Sequence, residues 1–189
     1  MSCFGRTFLC AFLLVETAAF AQPEAEVLRG PHPFIKDNEL SLHAGYGAGL
    51  GDAPQGVRLQ GDYSYRVGQV PWLHIQMGVL AGGCDSGQAV CDNGMAVDIL
   101  GGLTWKFQTN LPIVPYAKVG AGPVFLFPER SRDAAGLLVR GGGGAHYYPF
   151  DWFGLGVEFT GAWGAAFPRG GSTMSLGCLD FNVGVALQF

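Results

Sequence analysis

The stretch Leu179-Asp180-Phe181-Asn182-Val183-Gly184-Val185-Ala186-Leu187-Gln188-Phe189 alternates without a break. On an extended chain Leu179, Phe181, Val183, Val185, Leu187 and Phe189 share one face, and Asp180, Asn182, Gly184, Ala186 and Gln188 share the other, because successive strand side chains point to opposite sides. A helix has no period of two, so the segment reads as a half-buried strand. Seven earlier blocks repeat the pattern. Leu40, Leu42, Ala44, Tyr46, Ala48 and Leu50 stand opposite Glu39, Ser41, His43, Gly45, Gly47 and Gly49. Val57, Leu59, Tyr63, Tyr65 and Val67 oppose Arg58, Gln60, Asp62, Ser64 and Arg66, and Leu73, Ile75, Met77 and Val79 oppose His74, Gln76 and Gly78. Met95, Val97, Ile99, Leu103, Trp105 and Phe107 oppose Asp98, Gly102, Thr104, Lys106 and Gln108. Ala117, Val119, Ala121, Phe125 and Phe127 oppose Tyr116, Lys118, Gly120 and Gly122. Leu137, Val139, Ala145 and Tyr147 face away from Arg140, Gly142, Gly144, His146 and Tyr148. Phe153, Leu155, Val157, Phe159, Trp163 and Phe167 face away from Gly154, Gly156, Glu158, Thr160 and Gly164. The predicted fold is all-β: an eight-stranded antiparallel up-and-down barrel over residues 38–189.

Such strands close in two ways. A soluble barrel turns its apolar face inward, and a membrane barrel turns it out to lipid. Four features favour the second. The apolar face is uniformly bulky and the other mostly Gly, Ser and Thr, which suits a narrow lumen that bulky side chains would overfill. The blocks run longer than soluble strands usually do, and long enough for a tilted bilayer crossing. On the polar face Arg58, Arg66, Lys106, Lys118 and Arg140 balance Glu39, Asp62, Asp98, Glu158 and Asp180, so these ten residues are the expected lumen charge network. Aromatics gather at the strand ends: Trp72, Trp105, Phe107, Phe150, Trp152, Phe153 and Phe189 toward one rim, and Tyr46, Phe125, Phe127 and Phe167 toward the other. Rings at those depths are the girdles of membrane barrels.

Composition agrees. The 189 residues include 31 Gly, with 49% hydrophobic and 14% charged residues and a net charge of −4. The apolar content excludes disorder, the lack of a Gly-X-Y period excludes collagen, and the mild acidity leaves no electrostatic basis for nucleic-acid binding. Residues 1–21 read as a cleaved signal peptide: Arg6, then an apolar core from Phe8 to Val15, then Ala19-Phe20-Ala21 before Gln22. Residues 22–37, with Pro23, Pro31 and Pro33, read as an extended leader. Export permits disulfides, so Cys84 and Cys91, which bracket a six-residue loop, are a candidate staple, leaving Cys178 odd. No cysteine or histidine lies at metal-ligand spacing with these three, so neither metal nor cofactor is expected.

Together these residues resemble the small eight-stranded outer-membrane barrels of Gram-negative bacteria, the OmpA, OmpX and OmpW-like group, over residues 38–189. The alternating end Phe181, Val183, Val185, Leu187 and Phe189 resembles the signal read by the outer-membrane barrel assembly machinery. The resemblance implies periplasmic termini, with short periplasmic turns near Gln69-Val70-Pro71, Asn110-Leu111-Pro112 and Phe150-Asp151. It also implies longer outer connections at 82–94, 128–136 and 168–176, although the one near Asp52-Ala53-Pro54-Gln55 is short. No peptidoglycan-binding domain is expected after Phe189. The expected partners are outer-membrane lipid, lipopolysaccharide and the assembly machinery, for a monomer that displays its outer loops and carries out no catalysis. The alternatives are a narrow OmpW-like channel, a lipid A-modifying barrel enzyme, or a soluble lipocalin-like carrier. Ser41 and His43 share a face, as an enzyme reading would want, but no His-x-Ser motif occurs.

Overall fold

The computed structural model describes residues 35–68, 70–83, 94–107, 109–129, 133–168 and 172–189. The predicted signal peptide, most of the leader, and Cys84 and Cys91 lie outside the described residues. Eight strands follow in chain order: β1 (Asn38–Gly51), β2 (Gln55–Arg66), β3 (Pro71–Gly83), β4 (Gly94–Lys106), β5 (Ile113–Pro128), β6 (Ala134–Phe150), β7 (Phe153–Pro168) and β8 (Met174–Gln188). Each pairs antiparallel with the next, and β8 pairs with β1 from Glu39↔Gln188 to Gly51↔Leu176. The sheet is a closed barrel without an edge. Closure satisfies every ladder inside the sheet, which a lipid-exposed structure requires.

The alternation sets the orientation of every strand. Leu187, Val157 and Ile75 point outward, exposed by 39%, 50% and 56%, whereas Arg58, Asp98, Glu158 and Asp180 are buried inside. The surface is therefore that of a soluble barrel turned inside out. At the end where β1 starts and β8 finishes (the terminal end), Phe150 stacks on Trp152 with ring centroids 6.1 Å apart. The outward rings of Tyr46, Phe125, Phe127 and Phe167 lie toward the opposite, far end.

Three details differ from the sequence reading. Trp72 is not a rim aromatic but a lumen residue, fully buried with Ile35, Val114, Tyr148 and Ala186 as a plug at the terminal end. It lies in phase with His74 and Gln76, and that parity overrides its place near a strand end. The far connections are also shorter than expected, because Ala134 pairs with Pro168 and Met174 with Ala166. The strands run on, leaving 129–133 and 169–173 between them. Finally, the segment before β1 is partly tied down. Ile35 sits in the terminal plug, and the Lys36 backbone N–H donates to Gln188 Oε1 at 3.0 Å.

Inward glycines make room for long neighbours. Gly184 on β8 faces His43 on β1, and a Cβ there would collide with His43 Cδ2 and with the Leu42 carbonyl oxygen. Because backbone as well as a ring blocks that space, Gly184→Ala is expected to cost about 1–3 kcal/mol of barrel stability. Urea unfolding of the refolded variant in micelles checks this, and an unchanged midpoint would refute it. At the β1–β2 turn Gly51 adopts φ +70, a conformation costly for residues with a Cβ.

Candidate functional site

Of the ten charged residues expected to line the lumen, nine are buried there: Glu39, Arg58, Asp62, Asp98, Lys106, Lys118, Arg140, Glu158 and Asp180. Arg66 stands apart at the terminal rim. Its Nη1 is 3.6 Å from Asp37 Oδ1, and its Nε donates to the Gly68 carbonyl at 2.9 Å.

The nine are ordered into tiers along the barrel. Nearest the far end, the even strands supply an alternating ring: Arg58 from β2, Asp98 from β4, Arg140 from β6 and Asp180 from β8. Arg58 Nη2 reaches both Asp98 oxygens at 3.0 and 2.9 Å, and Arg140 Nη2 is 3.7 Å from Asp98 Oδ2. Arg140 Nη1 bonds Asp180, and Arg58 Nε lies 3.7 Å from Asp180 Oδ2. Thr160 and Cys178 also donate to Asp180, at 3.3 and 3.0 Å. Two cations and two anions thus neutralise one another in a ring.

Gln60 links this ring to the second tier, accepting from Arg58 at 3.4 Å and donating to Asp62 at 2.8 Å and to Glu158 at 2.9 Å. There Lys118 Nζ sits between Glu158 Oε2 at 2.7 Å and Asp62 Oδ1 at 3.3 Å, and the Tyr116 hydroxyl donates to Glu158 at 2.9 Å. The third tier centres on Glu39, which holds Lys106 Nζ at 2.7 Å and accepts from Gln188 at 2.9 Å and from Tyr148. Lys106 Nζ also lies 3.8 Å above the Trp72 ring, a cation–π contact that ties the charges to the terminal plug.

Toward the far mouth the lining becomes apolar. Leu80, Leu100, Val124, Leu126, Leu138 and Leu176 form a buried cluster with several alanines. A cavity of about 30 Å³ lies against this cluster and is lined on its other side by Arg58, Asp98 and Arg140. That space holds roughly a water molecule or two, an order of magnitude below the ~300 Å³ at which small-molecule pockets begin. Sequence reasoning passed over this cap and the terminal plug. Parity places Leu80, Leu126 and Leu138 inward, but only the register shows that they meet. Ser41 and His43 form no nucleophile–base pair, since neither His43 ring nitrogen has a hydrogen-bond partner; His43 and His146 instead stand beside each other, ring centroids 5.8 Å apart.

No protein-family model and no curated protein sequence matches the chain. Solved structures do. Neisserial surface protein A superposes with a TM-score of 0.62 at 13% identity, over 80% of this chain and 97% of that one. The fold is that of a small outer-membrane barrel. The N-terminal barrel domain of OprF from Pseudomonas aeruginosa matches with a TM-score of 0.54 at 14% identity, over 82% of this chain and all of that one. A major outer membrane protein from Thermus thermophilus matches at 0.52 and 13% identity, over 80% and 99%. At such identities the likeness concerns architecture. The lumen tiers are a property of this chain's own side chains.

Proposed function

We propose that this protein is an integral outer-membrane barrel that neither conducts nor catalyses, and that it works as a rigid mount for its far-end connections. The observation that carries the reading is the filled lumen. Three tiers of paired charges lie between an apolar cluster and the Trp72 plug, and the cavity lined by that cluster and the outermost charges is about 30 Å³. The outward belt of Leu, Val, Ile and Phe suits hydrocarbon, which supports placing the barrel in a bilayer surrounded by lipid and lipopolysaccharide. In this reading residues 1–21 direct export, residues 38–189 form the membrane unit, and the strand end at Phe189 is presented to the assembly machinery from the periplasm. Connections 84–93, 129–133 and 169–173 then face outward, the first stiffened by Cys84 and Cys91, on a barrel acting as a monomer. Loops held on a rigid scaffold are where binding surfaces concentrate.

The purified barrel in planar bilayers is expected to be electrically silent under applied potential. Reproducible single-channel steps would overturn the reading and favour the narrow-channel alternative.

A further inference from the structure

Of the nine charged residues buried in the lumen, five are acidic and four basic. Arg66 would have made the numbers equal, but it stands at the terminal rim beside Asp37. The shortfall has a definite place. The ring nearest the far end balances Arg58 and Arg140 against Asp98 and Asp180, and the third tier balances Lys106 against Glu39. The second tier sets Lys118 alone against both Asp62 and Glu158. One carboxylate charge is left over there. Neither carboxyl has an oxygen free to carry a proton. Asp62 accepts from Gln60 at 2.8 Å on one oxygen and from Lys118 at 3.3 Å on the other. Glu158 accepts from Gln60 at 2.9 Å on Oε1, and from Tyr116 at 2.9 Å and Lys118 at 2.7 Å on Oε2. A carboxyl that accepts at both oxygens is an ionised one.

Just below Glu158 a row of inward residues runs around the wall. His43 on β1 pairs with Gly184 on β8, Gly184 with Gly156 on β7, and Gly156 with His146 on β6. The glycines leave this floor to the two imidazoles: a Cβ at Gly184 would collide with His43 Cδ2, and one at Gly156 with His146 Cδ2. His43 is 4% exposed, yet neither ring nitrogen has a hydrogen-bond partner. Its Nδ1 lies 3.7 Å from Glu158 Oε2. The other two lumen imidazoles are engaged elsewhere. His146 Nδ1 contacts the Tyr148 hydroxyl at 3.2 Å and lies 3.6 Å from Glu39, whose charge Lys106 already balances. His74 Nδ1 bonds Thr104 at 3.0 Å.

We propose that His43 is a proton-binding site, its ring held as an imidazolium that serves as the fifth cation of the lumen against the surplus charge of Asp62 and Glu158. Burial alone favours a neutral ring, whereas a carboxylate within about 4–6 Å favours the charged one. A neutral His43 would leave two costs standing, an unbalanced buried anion and a ring without partners. One proton reduces both. At 3.7 Å the contact with Glu158 is an ion pair and not a hydrogen bond, so the bonds from Lys118 and Tyr116 stay as they are. His146 remains neutral in this arrangement, since its ring centroid is 5.8 Å from that of His43 and two imidazoliums so close would repel. The barrel is then electrically complete only with that proton aboard. The site is independent of the display role and of the connections.

The test uses the full chain with ¹⁵N-labelled histidine, refolded into detergent micelles. Folding is read by the mobility shift between unboiled and boiled samples. At about pH 7.5, where an exposed imidazole is largely neutral, the ring-nitrogen spectrum should show one histidine with both nitrogens protonated. His43→Gln should remove that signal, and His74→Gln should leave it. Asp62→Asn reduces the second tier to Lys118 and Glu158, a balanced pair, so in that variant His43 should lose its second proton at the same pH. If His43→Gln fails to fold, the signal is assigned by elimination among the four histidines with His32→Gln, His74→Gln and His146→Gln. A folded parent whose histidines are all neutral overturns the proposal. So does a doubly protonated signal that belongs to another residue, or a His43 signal that persists in folded Asp62→Asn.

Discussion

Replacing Asp180 by Ala is expected to lower barrel stability by about 3–5 kcal/mol, the usual cost of stranding one side of a buried ion pair. Asp180 is fully buried, bonded to Arg140, and within 3.7 Å of Arg58. Without it two guanidinium groups share the single carboxylate of Asp98, and Thr160 and Cys178 lose their acceptor. Urea unfolding in micelles gives the magnitude. The pairing is tested by the double change Arg140→Leu with Asp180→Leu, which leaves Arg58 and Asp98 as a neutral pair and should recover most of the loss. A double variant as unstable as the sum of its single changes would show that the ring is not electrically coupled.

A positive charge on the outer face should cost nearly as much, and by an amount that depends on depth. Phe159 lies near the middle of β7 and Phe167 near its far end, both pointing outward with 56% and 59% exposure. In bilayers Phe159→Arg is expected to destabilise by about 2–4 kcal/mol and Phe167→Arg by only about 0–1 kcal/mol. Equal costs at the two depths would refute a hydrocarbon belt around the barrel. The contrast matters because local exposure at the two positions is almost the same. Only the surrounding medium separates them.

The two-residue period made strand number and facing legible, because one face must be uniformly bulky and the other small or charged. Asp180, Asn182 and Gln188 could be assigned inward from their own block, and so could Arg58 and Glu158 from theirs. What parity cannot supply is stagger. Which inward residues share a level depends on how far each strand slides past the next, and no single block encodes that. The grouping of Arg58, Asp98, Arg140 and Asp180 into one ring therefore became visible only with the register, as did the row from His43 to His146. Trp72 shows the opposite case. Its parity with His74 pointed inward from the start, but a rule about rings near strand ends took precedence. Ile35 lay inside a proline-rich leader whose composition carries no sign of packing.

The even-strand ring also bears on how the barrel can form. Asp180 belongs to the last strand: pairing of β8 with β7 brings its carboxylate to Arg140 on β6, and the seam between β8 and β1 sets it within 3.7 Å of Arg58 on β2. A seven-stranded intermediate would hold two guanidinium groups against the single carboxylate of Asp98, leaving one positive charge in excess on the face that becomes the interior. Seating the final strand and neutralising the interior ring are thus one event.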